Sequence, residues 1–235
     1  MENDGFKNKH KSSETIVKSI QLATKLSLRE AADFMEVCKN TIFNWLRQYS
    51  HLLYSFLKNH TPSMCDVLHM DELFLKMKNK FFYIWDSITK DTRFASWFLS
   101  EKRDAASASA LMNLSPMPMK KLITDGSFSY IMPVKLVYGL RFFHEKYHRC
   151  ASFEDKKDNN LVERLQNTLR RYLHFRRGFK GEETGNVWME FLWVYYNFIR
   201  RHMAIGMTPA EKAGLINWFG FRNESDRFLE LIRLY

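Results

Sequence analysis

Three carboxylate positions stand where chemistry could be done: the adjacent pair Asp71-Glu72, then Asp125, then Glu163. Between Asp71 and Asp125 lie 53 positions, and between Asp125 and Glu163 lie 37. The first pair interrupts an otherwise apolar run, Val67 to Met77, and an acid buried in such a run is costly unless something pairs with it. In a chain of formal net charge +10, several such acids are best paired by a divalent metal. Mg²⁺ takes hard oxygen ligands and keeps several waters, so two or three carboxylates suffice. Two ions about 4 Å apart can activate the attacking hydroxyl and steady the leaving oxygen of a phosphodiester. Alternation along a strand sends Asp71 and Glu72 to opposite faces, so only one of them is expected to serve. Plainer roles exist for each position: a solvent-facing edge acid, an acid shaping the Asp125-Gly126 turn, and a helix-surface acid paired with Asn167. Glu154, Asp155 and Asp158 compete from a charged loop close to Glu163.

The elements that must hold these acids can be read from periodicity. Val67–Met77, Phe81–Ile88 and Phe94–Leu99 read as strands joined by short polar turns, Lys78-Asn79-Lys80 and Thr89-Lys90-Asp91-Thr92, which makes an antiparallel meander. Ala105 to Leu114 reads as a helix that stops before Pro116 and Pro118. Lys121 to Gly126 is a fourth, buried strand, and a crossover of this kind places it parallel to the first. Asp125 then sits at a strand's carboxyl end, where α/β sheets build their sites. Val137 to Cys150 reads as a further strand or short segment, and Ala151 to Asp158 as a loop. Asn159 or Asn160 caps a helix to about Tyr172. In it Leu161, Leu165, Leu169, Tyr172 and Leu173 form the apolar stripe, while Glu163, Asn167 and Arg170 share another face. A cationic turn, Arg176-Arg177-Gly178, precedes an aromatic helix from Asn186 to about Arg201. There Trp188, Phe191, Trp193, Tyr195, Tyr196 and Phe198 read as core rather than as base-stacking groups. Thr208-Pro209-Ala210-Glu211 opens a last helix.

The N-terminal part is different in kind. Residues 1–13 form a basic arm expected to be disordered, and Thr15 to Leu26 has helical spacing. Ser27-Leu28-Arg29-Glu30 is a capping box opening a helix that buries Leu28, Ala31, Ala32 and Met35. After a turn at Glu36-Val37-Cys38, a second helix buries Ile42, Trp45, Leu46 and Tyr49. Two short helices with a tight turn resemble a helix-turn-helix, although Glu36 stands where such turns often carry glycine. The second helix would show Lys39, Asn40, Thr41, Asn44, Arg47 and Gln48 to solvent, side chains suited to base edges.

Composition sets the frame. An apolar content of 46% with 20 Phe, 10 Tyr and 6 Trp supplies a globular core, and 36 basic against 26 acidic residues point to a polyanionic partner. Cys38, Cys65 and Cys150 are odd in number and widely spaced, which fits reduced thiols. No apolar run is long enough to span a membrane, and no signal sequence is seen. A soluble, cytoplasmic protein is expected, nucleoid-associated when bound to DNA. His144, His148 and Cys150 form a loose cluster of soft ligands that could hold zinc, but a fourth ligand at clear spacing is missing.

Taken in order, the motifs resemble those of the DDE-type insertion-sequence transposases of the RNase H-like, retroviral-integrase superfamily, in the compact group with a short N-terminal helix-turn-helix. The residues that carry the likeness are His69-Met70-Asp71-Glu72, residues 98–104 (Phe-Leu-Ser-Glu-Lys-Arg-Asp), Ile123-Thr124-Asp125-Gly126, and Asn159-Asn160-Leu161-Val162-Glu163-Arg164. Arg170-Arg171, Gly178-Phe179, residues 196–202 and Thr208-Pro209-Ala210 complete it. The resemblance implies an α/β fold with an RNase H-like mixed sheet at 65–205, preceded by an all-α helix-turn-helix domain at 14–60 and followed by a helical tail at 206–235. It selects Asp71 over Glu72 and makes Asp71, Asp125 and Glu163 the catalytic, metal-binding triad, with two Mg²⁺ (or Mn²⁺) ions and Arg170 near DNA phosphate. It implies binding to element ends and target DNA, metal-dependent cleavage and strand transfer, and at least a dimer. Two other readings share these features: a DNA-binding regulator on an inactive nuclease-like core, and a structure-specific nuclease or resolvase.

Overall fold

The computed structural model describes residues 11–77, 80–150, 156–174, 181–221 and 223–234. The expected arm at 1–10, the tip of the Lys78-Asn79 turn, the loop at 151–155 and the cationic turn with Gly178-Phe179 lie outside the described residues. The chain divides into two compact units, one of Thr61–Arg170 with Gly178–Gly181 and one of Met1–His60 with Arg171–Arg177 and Glu182–Tyr235.

The first of these is built on a five-stranded sheet in the order β3-β2-β1-β4-β5. β1 (Cys65–Met77), β2 (Lys80–Thr89) and β3 (Ala95–Ser100) form the expected antiparallel meander. After α4 (Ala105–Leu114), β4 (Met119–Asp125) returns parallel to β1, with His69 beside Ile123 and Met70 beside Thr124. β5 (Tyr147–Cys150) adds a further parallel strand beyond β4. One face of the sheet is apolar. Leu68, Met70, Trp85 and Leu122 pack with Ala108, Leu111 and Met112 of α4 and with Tyr130 and Val134. The other face carries His69, Asp71 and Asp86 and receives α6 (Lys156–His174), whose Asn159 and Gln166 bond to Asp71 and Asp86.

The segment expected as a strand from Val137 is instead helical for most of its length. A 3₁₀ turn at Phe128–Tyr130 leads into α5 (Ile131–Glu145), which breaks at Gly139, where φ is 86°. Val134, Val137, Tyr138 and Phe142 meet the core at spacings of three and four, so the aromatic and β-branched content that suggested a strand sits on a helical stripe. Only the last four residues, Tyr147–Cys150, enter the sheet.

The other unit is all helical. Ser12 caps α1 (Ser13–Lys25), and Ser27 and Glu30 make the expected capping box of α2 (Leu28–Met35). Glu36 closes α2 in the left-handed region with φ of 51°, doing what glycine usually does there, and α3 (Lys39–Leu57) begins three residues later. Ile42, Trp45, Leu46 and Tyr49 are buried as expected. α3 packs along α7 (Glu182–Val194) and α1 against α9 (Glu224–Leu234). α7 widens into a π-turn at Tyr195–Ile199, and a short α8 (Pro209–Lys212) carries its own capping box at Thr208 and Glu211. All six aromatic positions between Trp188 and Phe198 are buried. They form core, as their spacing suggests. Residues 182–205 thus group with the N-terminal helices and not with the sheet, because the apolar face of α7 is covered by α3. No helix among the described residues is long and apolar enough to cross a membrane.

Candidate active site

Parallel pairing of β1 and β4 brings their acids together. Asp71, Glu72 and Asp125 each offer an oxygen, and the three atoms lie within 4.8 Å of one another. Asp71 projects toward α6, its Oδ1 accepting from the Glu72 backbone N–H at 2.9 Å and its Oδ2 from the Asn159 amide at 3.4 Å. Asp125 turns the chain at the end of β4, its Oδ1 accepting from the Ser127 N–H at 3.0 Å.

Glu72 was expected to face away, and its strand position does point it to the α4 side. There it accepts from the Arg103 guanidinium and from the Tyr130 hydroxyl, the latter at 2.9 Å. It nonetheless reaches Asp125 because β4 stops at Asp125, level with Asp71. Alternation separates two faces only while a neighbouring strand stands between them; beyond the end of β4 nothing does. Arg103 spans the gap, lying 3.9 Å from Asp125 Oδ2 as well.

Glu163 lies on α6 one turn past Asn159 and is exposed, outside this acidic group. Asn167 and Arg170 are exposed beside it, and the Arg170 guanidinium donates to Asn167 Oδ1 at 3.2 Å. The expected shared face of Glu163, Asn167 and Arg170 is present, on the same flank of the helix as Asn159 and Gln166.

The electrostatics of the cluster are those of crowded anions. Burial, then the neighbouring Asp125 charge, push the Asp71 carboxyl up to about 7. Burial and Asp125 also raise Glu72. A fourth acid, Asp86, pairs with Asp71 across β1 and β2, is fully buried, and is held well above the usual carboxylate range by burial and by Asp71. Its Oδ2 accepts from Gln166 at 3.3 Å. Asp86 was not singled out in the sequence, although the signal was there: it interrupts the apolar run Phe81–Ile88 as Asp71 interrupts its own. The donor set is all carboxylate oxygen, which fits a hard divalent cation such as Mg²⁺. Among the described residues no other three His, Cys, Asp or Glu atoms gather in this way. His144 on α5 and His148 and Cys150 on β5 therefore do not form the zinc cluster considered from sequence. All three cysteines are free thiols.

In the helical unit, Lys39, Asn40, Asn44, Arg47 and Gln48 are exposed on α3 and Thr41 is half-exposed. Arg47 lies 3.9 Å from Glu183 of α7, and His51, one turn on, 3.7 Å from Glu190.

Residues 65–202, more than half of the chain, match a family model described as a DDE domain. A transposase of the insertion sequence-like element IS431mec from Staphylococcus aureus strain N315 is 23% identical over 167 residues, covering 67% of this chain and 72% of its own. The transposase of insertion sequence element IS257 in transposon Tn4003, also from Staphylococcus aureus, matches with the same figures. Among solved structures, the HTLV-2 integrase catalytic core domain in complex with magnesium superimposes with a TM-score of 0.45 at 14% identity, over 65% of this chain and 97% of that one. By the family match, which spans its sheet and its acidic site, the chain belongs to the DDE-domain family.

Proposed function

We infer that the protein is the DNA transposase of an insertion sequence, cleaving DNA strands at element ends and joining them to target DNA with divalent metal. The observation that carries this reading is the juxtaposition of Asp71, midway along β1, with Asp125 at the end of the parallel β4, with α6 brought over them by Asn159. Bound Mg²⁺ or Mn²⁺, two ions in the full reading, supplies charge neutralisation and activation of the attacking oxygen. Asp71 and Asp125 hold metal, and Glu163 completes the set from the rim of α6. Glu72, with both oxygens already accepting, acts as a positioning residue that fixes Arg103 beside Asp125. Water is the nucleophile in the first nick and a 3′-hydroxyl in strand transfer. Arg170 contacts DNA phosphate near the site. The α3 face of Lys39, Asn40, Thr41, Asn44, Arg47 and Gln48 reads the terminal repeats, and joining two ends calls for at least a dimer. Such a protein works wherever the element's DNA lies.

The test is incubation of the protein with labelled element-end DNA in Mg²⁺ or in EDTA. Asp71→Asn, Asp125→Asn and Glu163→Gln each abolish cleavage and joining while leaving end-binding largely intact. A Glu163→Gln protein that joined strands at the wild-type rate would remove Glu163 from the triad and leave Glu72 as its replacement.

A further inference from the structure

A concave pocket of about 390 Å³ lies beneath the first turns of α6. Val67 and His69 of β1 and Lys121 and Ile123 of β4 line it from the sheet, Asn160, Leu161 and Arg164 from α6, and Lys90 and Arg93 from the turn between β2 and β3. Four cationic side chains from three elements thus converge, and among the described residues no carboxylate lines the space. Among the described residues, none of the four is in an ion pair. The neighbouring Lys120, which alternation sends to the other face, does hold an acid, Asp66, at 2.8 Å. Arg93 adds two further signs: its backbone φ is 62°, and its Nε is buried without a hydrogen-bond partner among the described residues.

Like charges gathered without counter-charge repel one another, and a buried guanidinium N–H lacks an acceptor. A bound anion relieves both. The pocket also has a fixed relation to the acids. His69 and Ile123 precede Asp71 and Asp125 by two residues on paired strands, one side-chain repeat or about 7 Å on the same face.

We propose that this pocket is a phosphate site, holding a backbone phosphate of the DNA strand that runs on to Asp71 and Asp125. The proposal rests on the transposase reading above. Arginine forks suit phosphate oxygens, and such contacts fix the position of a strand without reading its sequence. The pocket's place one side-chain repeat before Asp71 and Asp125 on the paired strands favours the backbone of a strand reaching those acids as the source of the phosphate.

The experiment titrates the full chain with a random-sequence duplex across a salt series and measures Mg²⁺-dependent nicking of element-end DNA. The double variant Lys121→Gln/Arg164→Gln is expected to make the slope of log K against log salt shallower by about 1 and to slow nicking about tenfold. Lys120→Gln leaves both unchanged. Lys121→Arg/Arg164→Lys, which keeps the charge, restores the slope, as it would not if the double variant had simply lost its fold. A slope and nicking rate equal to wild type in the double variant overturn the proposal. So does a wild-type thermal shift with inorganic phosphate that the double variant lacks while the two DNA slopes coincide, since the pocket then takes free anions only. A wild-type protein that binds duplex but nicks nothing removes the transposase reading and leaves the phosphate site standing on its slope; one that binds no duplex overturns both.

Discussion

Asp71 carries the sharpest consequence at the scale of one residue. Its carboxyl is raised from 3.8 to about 7 by burial and by Asp125, so between those values the folded state binds more protons than the unfolded chain. The stability it contributes is fully present below about pH 4 and is lost as the pH rises through about 7. Metal-free protein is therefore expected to melt lower at pH 8 than at pH 6. Asp71→Asn, which cannot ionise, is expected to raise the stability of metal-free protein at pH 8 by about 2 kcal/mol. Differential melting in EDTA checks this, and Mg²⁺ should narrow the difference by stabilising only wild type. The substitution expected to end catalysis is thus also expected to strengthen the metal-free fold. Glu72→Gln is a milder change: it keeps the shape but weakens the hold on Arg103, so nicking falls about 10-fold to 100-fold while Asp71 variants lose it altogether, as single-turnover rates would show.

Among the elements, the turn between α2 and α3 pays for its geometry. Glu36 sits at φ of 51°, a region that costs a non-glycine residue about 1–2 kcal/mol. Glu36→Gly is expected to raise stability by about 1 kcal/mol, seen as a higher urea midpoint at unchanged slope. An unchanged or lower midpoint would mean that the Glu36 side chain stabilises the turn in some other way. The capping boxes, the meander, the parallel return of β4 and the buried stripe of α3 were all legible in the sequence, because each is written in local spacing. Two features were not. Val137 to Cys150 reads as a strand or short segment, and the helical stripe of α5 shows only once its core neighbours are known. The alternation that sends Asp71 and Glu72 to opposite faces assumes a neighbouring strand, and where β4 ends is a property of the sheet and not of β1. Asp86 was legible and was passed over.

On the scale of the whole molecule, the helical unit is assembled from both ends of the described chain. α3 is covered by α7, α1 by α9, and the Ser225 hydroxyl donates to the Gln21 side chain at 2.6 Å. Residues 11–60 expressed alone therefore lack what buries Ile16, Ile20, Ile42 and Leu46, and a peptide of this span is expected to show weak helicity and no cooperative melt by circular dichroism. Co-expression with residues 181–234 should restore the transition. The same arrangement sets an order on the ribosome. Every strand of the sheet, with its acids, has been synthesised before α7 emerges, whereas the helices that come first must wait with bare apolar faces for the last ones to arrive. In a cell these helices, translated before the sheet, are thus finished after it. A nascent chain cut short before α7 would carry Asp71, Asp125 and Glu163 without a completed helical unit, and its exposed helices would mark it for chaperones and proteases.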